Sequence, residues 1–187
     1  MKFKLGPGAI IVLVILVVSI LVFLVWIAAA YNGLVAKQVA AQAQWQQVEN
    51  QIQRKIDLIP DLLDLTFTYM QFEQNLITNL TELQTQWQNV TGVLDQANIS
   101  NLLSVTIANW ITTAVTYQDL TSDEAYGFLV ENIAGTENRI AFERLRYNDR
   151  VQAYNTSIRS FPDNIVAGWF DFQPEPFFDI PGGPGGP

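Results

Sequence analysis

The sequence predicts an all-α protein: a single N-terminal transmembrane helix followed by an antiparallel, up-and-down four-helix bundle. Three observations lead there. Residues Ala9 to Ala30 form an uninterrupted apolar run in which Ser19 is the only polar member. From Leu34 to Phe161, proline occurs only at 60 and glycine only at 92, 127 and 135, the sparse punctuation of long helices. Across the same stretch apolar residues recur at three- and four-residue steps, and no strand-like alternation stands beside them.

The apolar run comes first. At 1.5 Å per residue its 22 residues make a rod of roughly 33 Å, enough to cross a ~30 Å hydrocarbon core. Trp26 and Tyr31 sit at its far end, where amphipathic rings favour the interface. A cleaved signal peptide is the competing reading, with Lys2 and Lys4 as its positive start and Ala28–Ala30 as a small-residue cleavage site. The run exceeds the usual ~7–15-residue hydrophobic region of such peptides, so a retained anchor is preferred. Lys2 and Lys4 precede the run, and only Lys37 falls within twenty residues after it. That bias places the N-terminus in the cytoplasm and the bundle outside a cell membrane crossed once.

The helices follow in order. Trp45, Val48, Ile52, Ile56 and Ile59 step by three and four, as do Leu76, Leu80, Leu83, Trp87, Val90 and Leu94. Leu103, Ile107, Trp110 and Ala114 mark a third helix. Ile133, Ile140, Tyr147, Val151, Tyr154, Ile158 and Phe161 line a fourth. Thr121–Glu124 reads as a capping box, Asn98 or Ser100 as a cap after a break near Asp95–Ala97, and Pro162 as the stop of the fourth helix. At Pro60 two arrangements fit: a tight turn at Arg54–Asp57 with Asp57 capping a helix from Leu58, giving a hairpin, or a kinked continuous helix that keeps Ile56, Ile59 and Leu62 in line. The hairpin is preferred. The expected organisation is a cytoplasmic stub (1–8), a transmembrane helix (9–30), the bundle (31–161), an aromatic C-terminal segment (162–179) and a disordered Pro/Gly tail (180–187).

Composition excludes much chemistry. The chain has no cysteine and no histidine, which removes disulfides, thiolates and histidine acid–base catalysis. All 18 acidic residues follow Ala30, against eight of the ten basic ones, a net charge of −10 that repels nucleic acid and anionic lipid. Asn79–Thr81, Asn89–Thr91, Asn98–Ser100 and Asn155–Ser157 are glycosylation sequons, or simply an Asn/Thr-rich helical surface. Asp57, Asp61 and Asp64 share a face if one helix runs through them. A solvated face with Asp57 as a cap explains them better than a cation site, so no metal and no cofactor are expected, and no enzyme.

Several blocks go beyond periodicity. Tyr31-Asn32-Gly33-Leu34-Val35 follows the apolar run, and Arg54-Lys55-Ile56-Asp57-Leu58-Ile59-Pro60-Asp61-Leu62 comes next, before Tyr69 and Glu73. Later come Thr136-Glu137-Asn138-Arg139-Ile140-Ala141-Phe142, the pairs Tyr147-Asn148 and Tyr154-Asn155, and Phe161-Pro162-Asp163-Asn164-Ile165-Val166-Ala167-Gly168. Their order and spacing resemble the LemA family from the anchor to Phe178. The resemblance implies an N-terminally anchored helical bundle and little chemistry. The chain departs from the family at Asp61, where Asn is common, and around Phe67, Thr68 and Phe72, where a Lys-Gly-Tyr…His-Glu pattern keeps only Tyr69 and Glu73. By the resemblance, Asp57, Pro60, Glu137, Asn138, Arg139, Asn148 and Asn155 are polar signature positions. Asn148 and Asn155 either hydrogen-bond a neighbouring helix or line a groove for a partner.

The aromatic segment contains Trp169, Phe170, Phe172, Phe177 and Phe178, too much apolar surface for an inert linker. It packs on the bundle or forms the binding site for a protein. The expected function is therefore that of a membrane-tethered scaffold for an unidentified protein partner. The alternatives are a self-associating structural membrane component and a small-ligand sensor with its site inside the bundle.

Overall fold

A computed structural model describes residues 7–70 and 73–178, with the backbone alone for Pro7 and Ala9. The expected Pro/Gly tail (180–187), Asp179, Phe72 and the first six residues with Lys2 and Lys4 lie outside them. The described residues are all-α, without a strand. The helices are α1 (Pro7–Ile56), α2 (Ile59–Tyr69), α3 (Gln74–Asn89), α4 (Val93–Ala114), α5 (Gln118–Thr121), α6 (Glu124–Arg159) and α7 (Asp163–Trp169). The described residues divide into two compact units, one of residues 7–40 and 152–175, the other of residues 41–70, 73–151 and 176–178.

The larger unit is built on the stripes read from the sequence. Trp45, Val48, Ile52 and Ile56 of α1, Ile59 and Leu62 of α2, Leu76, Leu80, Leu83 and Trp87 of α3, Leu103, Ile107 and Trp110 of α4, and Ile133, Ile140, Tyr147 and Val151 of α6 share one core. Helix α2 packs on α3 and α5, and α3 on α4. Each tryptophan here gives its indole N–H to a side chain from another helix: Trp45 to Gln96 (3.1 Å), Trp87 to Gln53 (2.8 Å) and Trp110 to Thr66 (2.6 Å). Buried rings so anchored specify register as well as fill volume.

The boundaries differ from expectation in four places. The Pro60 region is a kink and not a hairpin: α1 runs to Ile56, and Leu58 keeps right-handed helical dihedrals. Helix-like bonds step across the break, from the Asp57 amide to the Gln53 carbonyl and from Leu62 to Leu58. Pro60 falls in the first turn of α2, where a missing N–H costs nothing, and Asp57 is no cap but accepts from the Gln53 side chain. The second helix stops at Asn89, because Gly92 adopts φ +102°, a conformation closed to other residues, and starts α4. Asp95–Ala97 therefore lie inside α4, and Leu94 is exposed. Thr121 belongs to α5, and the cap of α6 is Asp123, whose Oδ1 accepts the Ala125 amide at 2.8 Å. Finally, the aromatic segment contains helix α7, and Phe161, expected on the buried stripe, is 81% exposed beyond the end of α6.

The smaller unit has a thin core of Leu34, Tyr154, Ile158, Val166 and Ala167, with Trp26, Ala30 and Phe172 packed against it. Lys37 donates to Ser157 Oγ at 2.5 Å. Helix α7 ends in a Schellman-type turn: Asp171 takes φ +55° and the Phe172 amide reaches back to the Ala167 carbonyl at 3.0 Å. In α1 the residues from Ile10 to Val25 stand exposed, and this is the one helix among the described residues long and apolar enough to cross a membrane.

Candidate functional site

The two Tyr-Asn pairs of α6 do the same thing in each unit. In the larger one, the Asn148 amide group grips the Phe178 backbone on both sides: Nδ2 donates to its carbonyl (3.1 Å) and Oδ1 accepts its N–H (2.9 Å). Tyr147 donates its hydroxyl to the Pro176 carbonyl at 2.7 Å. In the smaller one, Asn155 grips Glu175 likewise (2.8 and 2.9 Å), and Tyr154 donates to the Gln173 carbonyl at 2.9 Å. Burial pushes the Tyr154 phenol above its usual pKa, with Glu175 adding to it, so it stays a donor.

Pro174 and Pro176 flank Glu175 and lack N–H groups, so neither brings a backbone donor that would need a partner. Both asparagines were expected to bond a neighbouring helix or receive a partner; they hold the chain's own extended segment. Asn155 is buried, which withdraws its sequon from modification, whereas Asn79, Asn89 and Asn98 are exposed.

The rings of that segment divide. Phe178 is 2% exposed, packs on Trp45 at 5.8 Å and carries the Arg144 guanidinium over its face at 5.6 Å. Phe172 is half-buried, with its ring 5.6 Å from Tyr31. Trp169, Phe170 and Phe177 remain exposed.

The remaining signature residues also separate. Glu137 turns inward, while Asn138 and Arg139 are exposed, as are Asp57 and Pro60. Glu137 Oε1 lies 2.7 Å from Nζ of Lys55, a residue that periodicity did not single out and that is fully buried. Its other two donors go to Ser104 Oγ (2.5 Å) and the Ser100 carbonyl (3.2 Å), so all three ammonium hydrogens are used. Burial pulls the Lys55 pKa below its ordinary value, and Glu137 opposes that shift. The signal was present in the sequence: Lys55 stands three residues after Ile52 and four before Ile59, inside the apolar stripe.

Asp61 and Asp64 line an open groove of about 250 Å³ with Leu58, Leu65, Phe128 and Asn132. Both carboxylates are exposed, and among the described residues no three acidic side chains converge as metal ligands would. Two carboxylates beside apolar walls give the groove a negative, partly apolar lining.

The LemA family's sequence model matches residues 44–184. Similar proteins include magnetosome proteins MamQ 1 and MamQ 2 of Paramagnetospirillum magneticum and magnetosome protein MamQ of Magnetospirillum gryphiswaldense. Each is 22% identical over 202 residues, covering 94% of this chain and 74% of the relative.

Proposed function

The chain belongs to the LemA family, and on that premise we propose that it is a single-pass membrane protein displaying a non-catalytic helical scaffold. The observation that carries the reading is the two-part character of α1. One uninterrupted helix is apolar from Ile10 to Val25 but for Ser19, yet supplies Trp45, Val48, Ile52 and Ile56 to a packed core. Anchor and bundle are thus parts of one element. In this reading the kinked α1–α2 pair is the first helix of an antiparallel, up-and-down four-helix bundle, α3 the second, α4 the third and α6 the fourth. The N-terminus is cytoplasmic and the bundle lies outside.

Catalysis is a poor fit because the convergent polar groups are already committed. Lys55 is saturated by Glu137, Ser100 and Ser104, and the Tyr-Asn pairs hold the C-terminal segment. The MamQ relatives are named for a cellular structure and not for a reaction, which suits a structural or binding role. The groove at Asp61, Asp64 and Phe128 is the place offered to a basic partner segment. Alkaline carbonate should leave the protein in the membrane pellet, and protease added to intact cells should remove the bundle. A mature N-terminus near Tyr31, or a protected bundle, would overturn the anchor or the orientation. A photo-crosslinker at Phe128 should capture a partner in intact cells, and Asp61→Lys with Asp64→Lys should abolish that capture; capture unaffected by the charge reversal would discard the groove.

A further inference from the structure

We propose that α7 is a second membrane contact, seated in the interfacial layer of the same bilayer that the apolar helix crosses. The inference rests on the anchor reading above and adds a surface to it. Helix α7 has two faces. Val166 and Ala167 are buried against Leu34, Tyr154 and Ile158, while Ile165 and Trp169, four residues apart, stay exposed, as does Phe170 beside them. Trp169 is 58% and Phe170 52% exposed, large rings that water alone does not favour.

What covers those rings follows from their height on α1. The Trp169 ring lies edge-on to Phe23 at 6.4 Å. Phe23 is seven residues inside the end of the apolar run at Ala30, about 10.5 Å along the helix. Phe170 meets Tyr31, at the end of that run, at 4.8 Å. A bilayer that takes up residues 9–30 must therefore reach Trp169 and Phe170. Rings between these two levels lie within about 10 Å of the end of the apolar run, the depth to which an interfacial helix sinks its apolar face below the headgroups. Asp163 and Asp171 flank the rings, so the attraction is apolar and interfacial and does not depend on anionic lipid.

The absence of cysteine makes a clean test possible with the full chain in phosphatidylcholine vesicles. Gly168→Cys places one thiol on α7 while keeping both rings, and a Cβ there meets nothing within 4 Å. Ile15→Cys marks the span and Gln88→Cys an exposed site on α3. Each is labelled with a small environment-sensitive dye and quenched by nitroxide lipids placed at the headgroup or deep in the acyl chain. The deep quencher should act on the Ile15 label, and the headgroup quencher should act on the Gly168 label at least about twofold more than on the Gln88 label. Trp169→Gln with Phe170→Gln should remove that excess. If the Gly168 label is quenched no more than the Gln88 label while the Ile15 label is quenched deeply, α7 faces a protein or a second copy, and the proposal fails while the anchor stands. No deep quenching at Ile15 would overturn the anchor itself, and this proposal with it.

Discussion

The two units use one device, a tyrosine–asparagine pair gripping an extended segment, over very unequal cores. In the larger unit the grip closes over a cluster drawn from α1, α2, α3, α4 and α6, and Phe178 is sealed into it. In the smaller unit the same grip serves a core of five buried residues beside a helix whose rings face outward. Stability scales with apolar area removed from water, so the larger unit should be held mainly by its core. The smaller unit should rely on polar grips and on its surroundings.

The strongest way to break that contrast is to hollow each core. Trp110 is fully buried and donates to Thr66, so Trp110→Ala should cost ~3–5 kcal/mol in urea unfolding, through cavity and lost hydrogen bond together. Ile158→Ala in the thin core should cost ~2 kcal/mol, at the low end for its type. Gln88→Ala, on an exposed face, should stay within about 0.5 kcal/mol. An Ile158 variant as damaging as the Trp110 variant would show that the units do not differ as described.

The buried ion pair sharpens the comparison, since it lies in the larger unit. Glu137→Ala leaves the Lys55 ammonium buried without its counter-charge and should cost ~3 kcal/mol, near the lower bound for a broken buried pair because the Glu137 side chain is 35% exposed. Lys55→Met with Glu137→Gln should recover most of the loss. The pH response has a definite sign. A lysine whose folded pKa lies below 10.5 is protonated more readily in the unfolded chain. Stability of the Glu137→Ala protein should therefore rise with pH, from its lowered folded pKa up to the unfolded value, and more steeply than in the parent.

The grips themselves predict smaller, local effects. Asn148→Ala frees the Phe178 amide and Asn155→Ala the Glu175 amide, each at ~1–3 kcal/mol. Hydrogen exchange should accelerate at the amide each asparagine held. The Asn155 variant should also loosen Gln173–Glu175, where less burial lies beneath.

Much of this architecture was legible because it is periodic. Apart from Leu94 and Phe161, the stripes of α1, α3, α4 and α6 are buried or partly buried where the spacing of three and four put them, and the apolar run stands out as the one candidate span among the described residues. What periodicity could not reach were contacts made by single atoms. Asp123 and not Thr121 caps α6, because α5 takes Thr121 into its own turn. Leu94 is out of line because Gly92 resets the helical phase between Trp87 and Ala97. The role of Asn148 and Asn155 was hidden for a different reason: their partners are backbone groups, and no side-chain pattern in 173–178 announces which amide is held. Lys55 was readable as a charge inside a stripe, but its three acceptors come from α4 and α6, far away in sequence.

The smallest effect separates the start of α6 from its grips by pH. Asp123 accepts the Ala125 amide through Oδ1 and the Tyr69 hydroxyl through Oδ2, at 2.8 and 2.7 Å. The Tyr69 bond and then the backbone bond favour the charged carboxylate and hold its pKa below the ordinary 3.8. A carboxyl with a depressed folded pKa contributes above its unfolded value, and that contribution disappears as pH falls through the folded one. Acid below about pH 4 should therefore fray the first turn of α6 and release Tyr69, seen as faster exchange at the Ala125 amide. Asp123→Ala should give the same fraying already at neutral pH. The Tyr-Asn grips end on amides and carbonyls, which do not titrate there, so the Glu175 and Phe178 amides should keep their protection through the same range. Loss of both sets together would mean that α6 opens as one piece, and the grips could no longer be treated as local devices.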